Sequence, residues 1–307
     1  MSIALVGVAL NTPIQLMDIS EIESLASADG YQLFLVARDI ALDQNVTQRI
    51  LRDLVGRRVD GLILHRPVPV PPATVRMLLD LPVPVVFTQY AEPLAHMSVG
   101  VNRLLAIREL ARHMAGLGHR QALFIGAQWD WDQPSGKLDH YRKAWHEHHM
   151  QLFNVRRWVL GDKSRLGHGP QGYAVVKDLL QHIQPTALIM TDDDAAIGAM
   201  TAIHEAGLQV PKDISVVGFD DVPNASIARP ALTTIHQPRG ETGRAAYRLL
   251  LQHLQEPSDT PQHIVINSRL VLRDSVGPAR TKQRLLSDQL LIDDHTDHLV
   301  THLEEDC

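Results

Sequence analysis

Cysteine is all but missing from this chain: of 307 residues only the last, Cys307, is one. No intramolecular disulfide can form, so a secreted disulfide framework gains no support. Positive charge is also in short supply. The formal net charge of −6 argues against non-specific nucleic-acid binding by the chain as a whole. The opening "MSIALVGVALNTP" has no basic n-region, and its apolar run is strand-length, so it reads as neither a signal peptide nor a membrane span. Enzyme signatures are absent as well: no GxGxxG follows the first apolar run, and there is no phosphate-cradling GxxxxGK[ST] loop and no GxSxG elbow. The chain also shows no short-period repeat. These absences leave a folded, soluble, cytoplasmic protein as the simplest reading, with length for about two cores.

What is present is an alternation. "IALVGVAL" (3–10) is a short branched apolar run of strand character, and "MDISEIESLASADG" (17–30) carries helical apolar spacing and stops at a glycine. Strand-like "YQLFLVA", "VDGLILH" and "VPVVFTQ" then alternate with helix-like "DQNVTQRILRDLVGRR" and "ATVRMLLDL". After "HMSVGVN" the pattern restarts, with strands "QALFIGA", "TALIMT" and "ISVVGF" among amphipathic helices. A last helix, "RGETGRAAYRLLLQHLQ", precedes the strands "HIVIN" and "RLVLR". Strand–helix units of this length predict parallel sheets covered by helices on both faces, connected right-handedly. Two such series predict two doubly wound lobes. Residues 277–307, of mixed charge and weak periodicity, read as a loose or partly helical appendage.

Open parallel sheets bind ligands outside the carboxyl ends of their strands. Asp220 and Asp221 stand at such an end, as do the segments 191–194 and 128–132, while Asn11 and Thr12 follow the first strand. A carboxylate there can accept paired hydrogen bonds from ligand hydroxyls; equally, Asp221 suits turn geometry and Asp192–Asp194 suit a helix N-terminus. Trp129 and Trp131, in the polar loop "QWDWDQPSGK", offer an aromatic face for a sugar, or ordinary packing. The 17 histidines, notably "HEHH" (146–149) and His295, His298 and His302, lack the HExxH spacing and cysteine ligands, so they read as solvated surface. No metal or other cofactor is expected.

Six separate segments resemble one family. "KDISVVGFDDVPNASIARPALTTIHQPRGETGRAAYRLLL", "RRVDGLIL", "LGHRQALFIG", "PTALIMTDDDAAIGAM", "EAGLQVPKDIS" and "RLVLRDS" are similar, in order and spacing over residues 3–276, to the effector-binding domain of the lactose/galactose-repressor family. "LTTIHQP" and "RLVLRDSV" resemble its purine-repressor branch most. The resemblance implies an α/β, periplasmic-binding-protein-like (type I) fold of two Rossmann-like lobes joined by three crossovers, near 100–103, 232–238 and 266–270. The N-terminal lobe would comprise 1–101 with 238–267, and the C-terminal lobe 102–237 with 268–276. It implies a homodimer that binds a sugar or nucleoside-like effector in a cleft, whose closure controls DNA binding through a helix-turn-helix.

That helix-turn-helix is absent from this chain, so these residues alone are not expected to bind DNA. Other departures touch the site. "NTPI" (11–14) replaces the family's aromatics, Lys137 stands where an arginine binds ligand and loses its bidentate fork, and Asp192–Asp193 replace an Asn–Asp pair. The acid usual before the first crossover is replaced within "VGVN", whereas Asp220 is retained. The expected ligand-binding residues are therefore Asp220, Asp192, Lys137, Trp129, Trp131, Asn11 and Thr12, acting without covalent chemistry. Two other readings of the same fold are a transporter's solute-binding protein and an enzyme with metal on the 192–194 and 220–221 acids.

Overall fold

The computed structural model describes residues 1–7, 13–36, 44–65, 72–88, 96–127, 130, 136–161, 167–258 and 260–280. Asn11, Thr12, Trp129, Trp131 and the segment 281–307 lie outside the described residues. In chain order the elements begin β1 (Ser2–Val6), α1 (Pro13–Ala28), β2 (Gln32–Val36), α2 (Gln44–Gly56), β3 (Gly61–His65), α3 (Pro72–Leu79), β4 (Val85–Thr88) and β5 (Ser98–Asn102). Next come α4 (Leu104–Gly116), β6 (Gln121–Ile125), α5 (Lys137–Glu147), β7 (Gln151–Phe153), α6 (Gly169–His182), β8 (Ala187–Met190), α7 (Asp193–Glu205) and β9 (Ser215–Val217). The short α8 (Pro223–Ile227), β10 (Thr234–His236), α9 (Arg239–Gln255), β11 (His263–Asn267) and β12 (Arg269–Val271) follow among the described residues. It forms two compact units: unit 1 is Met1–Asn102 with Gln237–Ser268, and unit 2 is Arg103–His236 with Arg269 and the described residues after it.

Among the described residues, unit 1 holds a six-stranded sheet in the order β11-β5-β4-β3-β1-β2, with every pair parallel. Successive side chains of a strand point to opposite faces, and in β1, β3, β4 and β5 both faces are buried. Ile3 and Leu5 enter one core with Ile63, Val86, the α1 residues Ile19 and Ile22, and Tyr247 and Leu250 of α9. Ala4 and Val6 enter the other with Leu62, Leu64, Phe87 and the α2 residues Leu51 and Leu54. Sequence order reverses between β1 and β3, which makes that gap the topological switch point. Gly7 turns the chain there at φ 82, and a Cβ on it would lie 2.8 Å from His65 O. Only glycine takes this backbone so close to its neighbour.

Unit 2 holds a parallel four-stranded sheet, β7-β6-β8-β9, and an antiparallel pair, β10-β12. Leu123, Ile125, Leu188 and Met190 pack on one side, and Ala122, Phe124, Ala187 and Ile189 on the other. The α/β fold read from the sequence is the fold observed, and its switch point in this unit lies between β6 and β8. On the first side α6 and α7 touch backbone to backbone. A Cβ on Gly172 would collide with Ala195 O, and one on Gly198 with Gly169 O. This close crossing brings the two helix N-termini together. At the other end of the sheet, buried His119 joins Thr186 (3.1 Å), Ser215 (3.3 Å) and the carbonyl of Gly277 (3.1 Å), pinning residue 277 to the unit. Burial holds the His119 imidazole below its ordinary pKa, so the neutral ring is the stable form.

Candidate functional site

The polar residues of unit 2 gather at the carboxyl ends of β6, β8 and β9. After β6 the chain reaches Asp130, which is 4% exposed and whose Oδ2 accepts from Ala127 N (3.0 Å) and Thr191 Oγ1 (2.7 Å). Lys137, the first residue of α5, donates through Nζ to Thr191 O (2.7 Å) and Oγ1 (2.6 Å). Its ammonium lies 3.6 Å from Asp130 Oδ1 and 4.8 Å from the centre of the Phe219 ring. Lys137, Asp130 and Thr191 thus form one network across the β6–β8 switch point. The lysine is held by its own unit, with its charge balanced by Asp130.

Asp192 caps α7, accepting from Ala195 N through Oδ1 (2.9 Å). Its other oxygen faces His168 Nδ1 at 2.5 Å, and both side chains are buried. His168 precedes α6, so the glycine-lined crossing of α6 and α7 places this pair. Asp193 is fully buried and accepts from Thr234 Oγ1 (2.6 Å) and Val222 N (2.8 Å), tying the end of β8 to β10 and to the turn after β9. Burial pushes its carboxyl well above the usual carboxylate range, with Asp220 and Asp221 adding to the rise.

The two adjacent acids after β9 have different surroundings. Asp221 accepts from Arg273 Nη2 (2.6 Å) and faces His236 Nδ1 (2.9 Å). The bond to His236 and then the Arg273 guanidinium pull its pKa down to about 2. It is a tie between the β9 end and the β10–β12 pair. Asp220 is half-buried, donates its N–H to Ile235 O (2.9 Å) and adopts φ 111. Such a value is rare for a residue with a Cβ and costs about 1–3 kcal/mol. The bridge to β10 imposes it.

The structure brings Asp192, Lys137 and Asp220 to one end of one sheet. Asn11, Thr12, Trp129 and Trp131 lie outside the described residues. Sequence reasoning placed Asp130 and Thr191 in strand-end segments without naming them as ligand-binding residues, and it missed His168. His168 carried no signal, being one histidine among 17. In unit 1 it missed Asp18, His65, Thr88 and Arg239, all buried. Among the described residues, no three His, Cys, Asp or Glu side chains are arranged to hold a metal ion, and no helix is long and apolar enough to cross a membrane.

Helix-covered parallel sheets and a carboxylate-rich strand end define a periplasmic-binding-protein-like domain, and the family model described as "periplasmic binding protein-like domain" matches residues 111–276. The HTH-type transcriptional repressor PurR of Yersinia enterocolitica is 32% identical over 290 residues, spanning 92% of this chain and 82% of that protein. The chain belongs to the LacI family of transcriptional regulators, as a ligand-sensing regulatory domain. Among solved structures, the LacI family regulator of Enterococcus faecium with bound ribose matches with TM-score 0.77 at 20% identity, over 91% of this chain and 100% of that one. A dimeric Lac repressor matches with TM-score 0.77 at 24% identity, over 91% and 100%.

Proposed function

We propose that the chain binds a small polyhydroxylated metabolite, a sugar or a nucleoside-like molecule, with Asp220 and Asp192 as hydrogen-bond acceptors. The observation that carries this reading is Asp220: a half-buried carboxylate at the carboxyl end of β9, held at φ 111 by its neighbours. Backbone strain of this kind persists only where surrounding structure enforces it, and it collects at ligand clamps. Lys137 acts indirectly, by holding Asp130 and Thr191 at the switch point. The ribose in the E. faecium regulator supports a sugar; the likeness to PurR supports the nucleoside-like alternative.

The regulator acts in the cytoplasm as a homodimer, a reading supported by the dimeric Lac repressor. Its ligand shifts the equilibrium between two states by differential affinity, and that shift reaches DNA through a helix-turn-helix segment of the same regulator. A coupling of about 1–3 kcal/mol is enough. No bond is made or broken in the ligand.

A thermal-shift screen against sugars, sugar derivatives, nucleosides and purines tests the assignment. A ligand at 100 times its Kd adds about 2.7 kcal/mol to stability. The expected result is one chemical class that raises Tm in the native chain and has no effect on Asp220→Ala. A shift that survives in Asp220→Ala removes Asp220 from the site, and silence of the whole panel counts against sensing of these classes.

A further inference from the structure

Four buried side chains meet at the switch point of unit 1. His65 is the last residue of β3 and Thr88 the last of β4, Asp18 lies on α1, which follows β1, and Arg239 opens α9. Their residues are 1%, 1%, 0% and 8% exposed. Gly243, one turn after Arg239, explains the approach: a Cβ there would lie 3.0 Å from Asp18 O, so α9 packs closely on α1. Asp18 Oδ2 is 3.5 Å from both His65 Nδ1 and Arg239 Nη1.

The protons can be assigned. Thr88 donates its hydroxyl to Leu64 O (3.3 Å), so the contact of its oxygen with His65 Nδ1 (3.4 Å) places the imidazole proton on Nδ1, towards Thr88 and Asp18. Burial, and then the Arg239 charge, lowers the His65 pKa to about 3, so the ring stays neutral. Nε2 is then a bare acceptor, buried and without a hydrogen-bond partner among the described residues. Arg239 is the converse: its Nε and Nη1 are buried donors without a hydrogen-bond partner among the described residues, Nη1 having only the ionic contact with Asp18 at 3.5 Å. An unmet buried donor costs about 1–3 kcal/mol, more when charged. The cluster therefore presents guanidinium donors, ion-paired at 3.5 Å with Asp18, beside one neutral acceptor, at the end of the sheet where open α/β folds bind ligands.

We infer that the ligand carries an oxyanion flanked by hydroxyls, and that unit 1 recognises it: Arg239 binds the anionic oxygens and His65 Nε2 accepts from an adjacent hydroxyl. A neutral hydroxyl could satisfy one guanidinium N–H, but a carboxylate or phosphate offers several acceptors and the charge-assisted bonds that are strongest. The class is thus a sugar acid or a sugar phosphate. This rests on the sensing reading above and narrows its ligand.

The test is calorimetric titration of the native chain with ribose and glucose as neutral probes, and with gluconate, ribose 5-phosphate and glucose 6-phosphate as anionic ones, at matched ionic strength. The expected result is at least tenfold tighter binding of one anionic probe than of its neutral counterpart; gluconate against the phosphates identifies which oxyanion. Arg239→Gln should remove that preference, with circular dichroism reporting its fold. Arg239→Lys, which keeps the charge and loses the fork, should show a smaller loss and decides the matter if Arg239→Gln does not fold. Equal binding of neutral and anionic probes, or a preference that survives both substitutions, overturns the inference while leaving the sensing reading intact. No binding of any neutral or anionic probe overturns both.

Discussion

Unit 2 holds Asp130, Asp193 and Asp221 with partners from its own backbone and side chains at 2.6–3.0 Å. Unit 1 holds Asp18 3.5 Å from the Arg239 guanidinium and from the neutral His65 ring, and leaves donors of Arg239 and the acceptor of His65 without a hydrogen bond among the described residues. Both sites stand at the switch point of a parallel sheet, and both depend on a helix pair that crosses at a glycine. The difference lies in how far each is completed by the protein itself. Buried acids satisfied from within are scaffold, and their removal is a stability event. A buried guanidinium ion-paired at 3.5 Å but with donors lacking hydrogen bonds is, on the inference above, a recognition group.

The largest expected effect breaks the scaffold side of this comparison. Gly198→Ala places a methyl against Gly169 O and Tyr173 N at the α6–α7 crossing, with backbone on both sides and nothing flexible to yield. A loss of about 3 kcal/mol is expected in urea denaturation, at the upper end for overpacking. Gly243→Ala, whose nearest contact in unit 1 is 3.0 Å, should cost clearly less.

A smaller effect comes from acid. His65 in unit 1 and His119 in unit 2 both have folded pKa values below their ordinary 6.5. Below 6.5 the unfolded chain binds protons that the native rings refuse, so their contribution is complete above that pH and fades as pH falls towards the folded values. Going from pH 7 to pH 5 should cost roughly 2 kcal/mol through His65 alone. His65→Asn should flatten that part of the pH profile. Asp221, lowered to about 2, is stabilising above its ordinary 3.8 and loses that contribution only below it.

The smallest effect has the opposite sign. Asp220→Gly relieves a φ of 111 and should stabilise the unliganded chain by about 1 kcal/mol, seen as a Tm rise of a few degrees. Ligand response should vanish in the same variant. A fall in Tm would show that Asp220 is scaffold like its neighbours.

The fold was legible because α9 and the buried strands carry strong period signals; the helix expected over 239–255 is observed over Arg239–Gln255. β5 was not read as a strand, since serine, glycine and asparagine alternate in "SVGVN", although four of its five residues are buried. β7 and β10, three residues each, are too short to show a period, and β10 joins the antiparallel pair that the repeated units did not suggest. The unit-2 acids were visible because each follows a strand. The unit-1 cluster was not, because Asp18, His65 and Arg239 meet only in three dimensions. In hindsight Asp18 stands four residues before Ile22 and eight before Ala26, on the buried face of α1, where an acid has no business unless paired.

The discontinuity of unit 1 has a consequence for biosynthesis. Its sheet lacks an edge partner for β5 until β11 is made, and one face of Ile3, Leu5, Ile63 and Val86 lacks cover until α9 is made. The parallel sheet of unit 2 is complete once β9 has left the ribosome. At about 5–20 residues per second, the first hundred residues wait roughly 10–30 s for residue 268. The unit whose first strands are made earliest therefore waits longest for its closing elements, since unit 2 needs only residues 269–280 after its sheet is made, and a nascent-chain chaperone has its longest task at unit 1.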